Sequence, residues 1–293
     1  MRRLRQAWRQ AWGLVPIFAL SLGFAVDAVQ AADLKTADLT LQGPLTQGGL
    51  VIGETMPGTR AALNGAPLRV SPEGRFVFGF DRDYQGPARL TVTWPDGRIQ
   101  TRTLAVTSRA YDIQRIDGLP PKYVSPPPEE LARIKREGAE KRAARNRDTD
   151  ADWFAHGFIW PAQGRISGVF GSQRFYNGEP RRPHYGVDVA GPEGTPVVAP
   201  ASGIVRLADP DFYFEGGVIF IDHGYGVTGV LMHLGRVDVA VGDKVEQGQT
   251  VGAIGATGRA TGAHVDWRIY WRDAHVDPQL LVGPMSASIA ATE

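Results

Sequence analysis

From residue 157 to residue 283 the chain is a succession of short apolar runs, each closed by glycine or proline. This punctuation constrains the fold more than any other feature. Strands are expected at 166–170, 187–190, 196–199, 203–207, 218–222, 229–233, 250–254 and 264–270. Runs of this length, rich in valine and isoleucine and bounded by turn residues, read as strands rather than helices. No long helical pattern interrupts them. An all-β chain is therefore expected, with a compact antiparallel C-terminal domain over 157–283 whose loops carry the function. The 36 glycines and 21 prolines among 293 residues agree with so many turns.

The first half carries a second β pattern, and the length of the chain favours two domains. Over residues 32–112, Asn64-Gly65 and Asp96-Gly97 are hairpin dipeptides, since both favour positive φ. Phe76, Phe78 and Phe80 share one face of a strand, and Leu90, Val92 and Trp94 repeat the alternation, as do Leu104 and Val106. About seven short strands suggest an accessory immunoglobulin-like β-sandwich. It holds no histidine and no catalytic constellation, so it reads as a folded spacer or binding module. Residues 113–156 form a linker. Pro120-Pro121 and Pro126-Pro127-Pro128 set an extended connector, and residues 129–147 read as a charged helix. Its apolar stripe is thin (Leu131, Ile134, Ala139), and Glu129–Arg133 and Glu137–Lys141 are i, i+4 pairs. The helix reads as a solvated spacer, with a basic binding arm as the alternative.

The first 31 residues have the form of a secretory signal. Arg2, Arg3, Arg5 and Arg9 precede an apolar run broken by Pro16, and Val29-Gln30-Ala31 offers a processing site. Export to a periplasm or cell envelope is expected. There is no cysteine, so stability must come from core burial and from metal rather than from disulfides. A net charge of +1 provides no bulk attraction to nucleic acid. Residues 284–293 form a tail.

The chemistry-bearing residues cluster in two stretches, His184-Tyr185-Gly186-Val187-Asp188 and His264-Val265-Asp266. On strands, His184 and Asp188 share a face, and so do His264 and Asp266. Imidazole and carboxylate together suit a divalent metal. His223 ends a strand and reads as structural, His156 has no evident partner, and His275 lies past the last motif strand and reads as structural rather than as a ligand. No cysteine and no Gly-x-Ser-x-Gly elbow offers a rival nucleophile.

Arg182-Pro183-His184-Tyr185-Gly186-Val187-Asp188 resembles the His-x-Gly-x-Asp signature of the lysostaphin-type (LytM-like) zinc metallopeptidases. Gly194-Thr195-Pro196, Met232-His233-Leu234, Val241-Gly242-Asp243, Gly255-Ala256-Thr257-Gly258 and Gly262-Ala263-His264-Val265-Asp266 resemble that family's further motifs in type and order, over residues 158–282. The resemblance implies a LytM-like fold and a secreted zinc endopeptidase that hydrolyses peptide cross-links of bacterial peptidoglycan, either glycine bridges or links involving D-amino acids. It implies His184 and Asp188 as zinc ligands, His233 as an aid to proton transfer, and His264 as the contact to the nucleophilic water or the oxyanion. Asp266 stands at the third ligand position, where the family has histidine. A carboxylate oxygen binds zinc at about the same distance as an imidazole nitrogen. Its charge weakens the Lewis acidity and favours harder ions such as manganese, with cobalt also possible. The alternative reading is a catalytically impaired module that binds the wall or activates a partner wall hydrolase. Aromatic loops suit substrate contact, with Arg174, Phe175, Tyr176 and Asn177 in 171–183, and Phe212, Tyr213 and Phe214 in 208–217. A further possibility is that the sandwich covers the cleft.

Overall fold

The computed structural model describes residues 34–36, 38–116, 127–176 and 179–285. The expected signal segment, the connector prolines up to residue 126 and the tail beyond 285 lie outside the described residues.

Two four-stranded antiparallel sheets form the first half. One has the order β1-β2-β3-β6, built from β1 (Leu34–Thr36), β2 (Leu39–Gln42), β3 (Leu50–Thr55) and β6 (Arg75–Gly79). The other has the order β5-β4-β7-β8, built from β4 (Arg60–Leu63), β5 (Ala66–Leu68), β7 (Ala88–Thr93) and β8 (Ile99–Leu104). Leu39, Leu41, Phe76 and Phe78 of the first meet Leu63, Leu90, Val92 and Leu104 of the second in one apolar cluster, so the sheets form a sandwich. Strand β6 is buried on both faces. The residue between the two phenylalanines, Val77, joins the core of the C-terminal half together with Leu50. Gly79 allows that close approach, since a Cβ there would stand 3.0 Å from Val276 and 3.1 Å from Trp271.

The second half is a ten-stranded sheet with the principal order β10-β13-β20-β17-β16-β15-β18. Its members are β10 (Arg165–Gly168), β13 (Val187–Ala190), β14 (Pro196–Val198), β15 (Gly203–Phe212), β16 (Gly216–Asp222), β17 (Val227–Val237), β18 (Lys244–Val245), β19 (Thr250–Ile254), β20 (His264–Trp271) and β21 (Ala274–Val276). All these pairs are antiparallel, as expected from the sequence. Strand β20 is central. β17 lies along one edge, while β13 and β21 divide the other. Valine, isoleucine and tryptophan alternate inward along these strands, and Val187, Val189, Val265, Trp267 and Ile269 are fully buried in the main core. Strand β15 runs on to Phe212, which is buried, so the loop expected at 208–217 shortens to a turn at 213–215 and Phe212 is a core residue.

Short β9 (Ile113–Ile116) pairs in parallel with β11 (Gln173–Tyr176), which in turn pairs with β12 (Glu179–Pro180). The start of the linker is thus fixed to the 171–183 segment. Helix α1 (Leu131–Arg145) follows. The expected apolar stripe is not what docks it, because Leu131 is 54% exposed and Ala139 is also exposed. The helix turns Arg133, Glu137, Lys141 and Ala144 inward, at helical spacing on a different face. Glu137 pairs with Arg133 (2.6 Å) rather than with Lys141, and Lys141 reaches Glu215 instead (2.5 Å). The second oxygen of Glu137 accepts the Tyr213 amide at 2.9 Å. So polar a helix docks mainly through these bonds to the 213–215 turn, with Ala144 as its buried apolar contact.

Candidate metal centre

Asp188 on β13 lies directly opposite Asp266 on β20 in the antiparallel register. Their alternation partners Val187, Val189, Val265 and Trp267 face the core, so both carboxylates, together with His264 and Arg268, turn to the opposite face. Two glycines make the room. A Cβ at Gly168 would sit 2.2 Å from the Asp188 carboxylate, and one at Gly186 would sit 2.4 Å from that of Asp266.

The two remaining histidines arrive differently. His184 is not on a strand, contrary to the expectation that it shares a strand face with Asp188, because β13 begins only at Val187. Its backbone bonds instead to the preceding segment: its amide donates to Ser172 (2.8 Å) and its carbonyl accepts from Gly171 (2.7 Å). From that position its Nε2 lies 3.0 Å from Asp188 Oδ1 and 3.3 Å from Asp266 Oδ2. His233 follows Met232, which pairs with Asp266, so strict alternation would turn its ring to the wrong face. A left-handed backbone at His233 (φ 64°) breaks the alternation and brings its ring to 4.8 Å from that of His264. The five residues singled out from the sequence therefore meet at one place.

The electrostatics follow from these distances. His184 Nδ1 donates to the Val169 carbonyl (3.2 Å), which aims Nε2 at the carboxylates. Burial alone would lower its pKa, but the Asp266 and Asp188 carboxylates outweigh it and hold the ring up to about 10. Burial likewise opposes the charge of Asp266, yet Arg268 and His184 hold it well below the usual carboxylate range. Arg268 was not singled out from the sequence. It grips Asp266 through both oxygens, with Nη2 2.6 Å from Oδ2 and Nε 3.1 Å from Oδ1. The signal was present, since residues two apart on a strand share a face. Burial lowers His233 below the ordinary imidazole value. Nδ1 of His233 donates to Thr257 (3.0 Å) and Nδ1 of His264 to Gly262 (2.8 Å), so each neutral ring presents a bare Nε2. His264 Nε2 is 3.8 Å from Asp188 Oδ1.

The cluster suits a divalent cation. His184, Asp188 and Asp266 offer donor atoms that all lie within 4.8 Å of one another. The 3.0 and 3.3 Å separations match the edge of about 3.3 Å expected between ligands of a tetrahedral ion with bonds of 2.0–2.1 Å. Asp188 Oδ1 is buried, stands 3.0 Å from His184 Nε2 and makes no well-formed hydrogen bond. An acceptor in that state is suited to a cation.

Other sequence-marked residues fall outside this cluster. His275 is not a ligand: its backbone and ring nitrogens both donate to Asp81 of the sandwich (2.7 and 2.9 Å), and its ring stacks on Tyr185 at 3.6 Å. His223 is fully buried, with Nδ1 donating to Ser202 (2.8 Å). Its structural reading holds. His156 is exposed. Trp267 lies in the main core on the far side of the sheet, and Tyr270 packs with Met232 on the near side. The sandwich reaches the site through Arg82, whose buried guanidinium donates to the Gly171 carbonyl at 3.0 and 2.7 Å.

The profile of Peptidase family M23 matches residues 182–278. Two peptidoglycan DD-endopeptidases of Vibrio cholerae are similar to part of the chain. ShyA is 35% identical over 130 residues and ShyC 32% over 127, which is 44% and 43% of this chain. These matches span only 30% and 29% of those longer proteins. A crystal structure of a Pseudomonas aeruginosa protein assigned to peptidase M23 is 32% identical, covers 81% of this chain and 95% of that one, and superposes with a TM-score of 0.61. That likeness takes in far more than the metal centre. The chain belongs to peptidase family M23.

Proposed function

We propose that this chain is an exported metal-dependent endopeptidase that hydrolyses peptide cross-links of bacterial peptidoglycan. The observation that carries the reading is the convergence of His184, Asp188 and Asp266 beside two histidines with bare Nε2 atoms. The wall substrate is supported by the relatives named peptidoglycan DD-endopeptidases, and export by the basic and apolar pattern of residues 1–31.

His184, Asp188 and Asp266 would hold one zinc ion, with manganese or cobalt as the alternatives that an oxygen-rich set admits. Such an ion, when bound, polarises a carbonyl and acidifies water. The chain supplies the proton chemistry. As neutral rings, His233 and His264 each accept at Nε2, because the single N–H of each is committed to a carbonyl through Nδ1. One ring takes a proton from the attacking water. Once protonated, that ring is a donor, able to stabilise the oxyanion and to deliver the proton to the leaving amine. Burial of His233 favours its neutral form and so its role as the acceptor.

The test is zinc content and turnover of the purified chain on cross-linked muropeptides, with zinc, cobalt and manganese supplied in turn. One ion per chain and cleavage are expected. His264→Ala should retain the ion and lose turnover by about 100-fold or more. Stoichiometric ion without cleavage by any metal form would refute the enzyme and leave a wall-binding module.

A further inference from the structure

We propose that Arg268 is a built-in counter-charge to Asp266, and that the pair acts as one unit in setting how strongly the centre holds its cation. The inference rests on the metal reading above and goes beyond it by assigning a role to a residue outside the ligand set.

The geometry is specific. Asp266 is nearly fully buried, with its side chain only 3% exposed. Both of its oxygens accept from Arg268, and the closest contact, 2.6 Å, falls on Oδ2, the same oxygen that stands 3.3 Å from His184. The guanidinium thus touches the oxygen that would face the cation. Gly186 holds the unit in place, because its Cα lies against the Asp266 carboxylate and the Arg268 stem together: a Cβ there would sit 2.4 Å from Oδ1 and 2.6 Å from Arg268 Cγ.

In the ion-bound state, where His184 has given up its proton, the two aspartates and Arg268 together contribute one net negative charge. A divalent ion brings it to one net positive charge, the value a set of two histidines and one carboxylate would give without any arginine. Arg268 therefore cancels the charge that the second carboxylate adds. It also repels the ion directly, across a partly buried site where screening is weaker than in bulk water. Two consequences have opposite signs. Removing the arginine charge alone should tighten the ion. Replacing Asp266 with histidine alone should weaken it, since Arg268 then faces the cation with no carboxylate between, although histidine is itself the better zinc donor.

Zinc affinity of the full chain, measured by competition with a chromogenic chelator, decides the matter across wild type, Arg268→Gln, Arg268→Lys, Asp266→His and the double variant Asp266→His/Arg268→Gln. We expect Arg268→Gln to bind zinc about tenfold more tightly, equivalent to about 1.4 kcal/mol. Arg268→Lys keeps the charge and should stay near wild type. Asp266→His should bind about tenfold more weakly than the double variant. A second readout needs no bound ion: metal-free Arg268→Gln should melt below wild type, because buried Asp266 then loses one of the two cationic side chains that face it, and saturating zinc should abolish the difference. The double variant removes both partners together and strands neither, so its comparison with Asp266→His remains available if Arg268→Gln fails to fold. Unchanged or weaker zinc binding in Arg268→Gln overturns the inference, as does equal affinity of Asp266→His and the double variant. If wild type takes up no zinc, the metal reading itself fails. The inference then requires Arg268→Gln to gain zinc binding, and its failure to do so refutes both.

Discussion

Replacing Gly186 with alanine tests how tightly the chain is built around its carboxylates. An alanine Cβ would meet Asp266 Oδ1 at 2.4 Å, Arg268 Cγ at 2.6 Å and the Trp267 carbonyl at 2.6 Å. The arginine stem can swing away, but the Trp267 carbonyl belongs to the central strand and cannot. The carboxylate must retreat by at least about 0.6 Å, from 2.4 Å to beyond the 3.0 Å that real Cβ contacts respect. Crowding of this kind in a packed site costs about 1–3 kcal/mol. The displacement falls on an oxygen pair whose other member stands 3.3 Å from His184, so zinc should bind at least about tenfold more weakly. Gly194→Ala is the control. That glycine has φ +85° and nothing within 4 Å of its Cβ position, so alanine there meets only the left-handed backbone penalty of about 1–2 kcal/mol. Urea unfolding and chelator competition on both variants separate the two effects. Wild-type zinc affinity in Gly186→Ala, or an equal loss in Gly194→Ala, would refute the argument that the motif glycine exists to seat Asp266.

Two further expectations follow from buried groups. Burial holds His223 down to about 4 against an ordinary 6.5, so the unfolded chain takes up a proton that the folded chain refuses. Stability is then complete above pH 6.5 and falls by about 3 kcal/mol as the pH drops through 6.5 towards 4. His223→Asn keeps a donor for Ser202 and should lose correspondingly less on acidification in urea titrations at pH 7 and pH 4.5, whereas equal losses would show that His223 does not contribute. Arg82→Met removes two charge-assisted bonds to the Gly171 carbonyl and should cost about 2–3 kcal/mol. Zinc binding should weaken along with it, with partial rescue by Arg82→Lys. Unchanged affinity would mean that the sandwich merely abuts the His184 segment.

The regular part of the molecule was legible because strands obey a simple rule. β13, β19 and the start of β20 fall where alternation and glycine punctuation put them, and Asp188, His264 and Asp266 share a face for the same reason. The helix was legible as a helix but not in its docking. Its contacts run through Glu137 and Lys141 to a turn some seventy residues later, and a local apolar stripe carries no information about such partners. The same limit hid Arg82 and Asp81, which reach the site from the other β unit. Arg268 was hidden differently, because two opposite charges spaced by one residue on a strand are ordinary until the register shows that one of them belongs to the site.

The two residues that the strand rule cannot place are His184 and His233, and each is supported from outside the sheet. His184 sits ahead of β13. Its carbonyl is held by Gly171, Gly171 is held by Arg82, and Tyr185 beside it is stacked on a ring anchored by Asp81. His233 sits on a left-handed backbone, a conformation that costs free energy and persists where its surroundings enforce it. Its amide donates to the Glu215 carbonyl, while Lys141 pairs with the Glu215 side chain and Glu137 takes the Tyr213 amide of the same turn. The sandwich therefore braces one histidine and the linker helix the other. A bare ten-stranded sheet would bring Asp188, Asp266 and His264 to one face by pleat alone, yet it would leave without these supports the histidine that comes from a loop and the histidine that breaks the alternation. The segments that read as spacer and solvated linker in the sequence are in this sense part of the centre, and a chain trimmed to the M23 match at 182–278 would lack both braces.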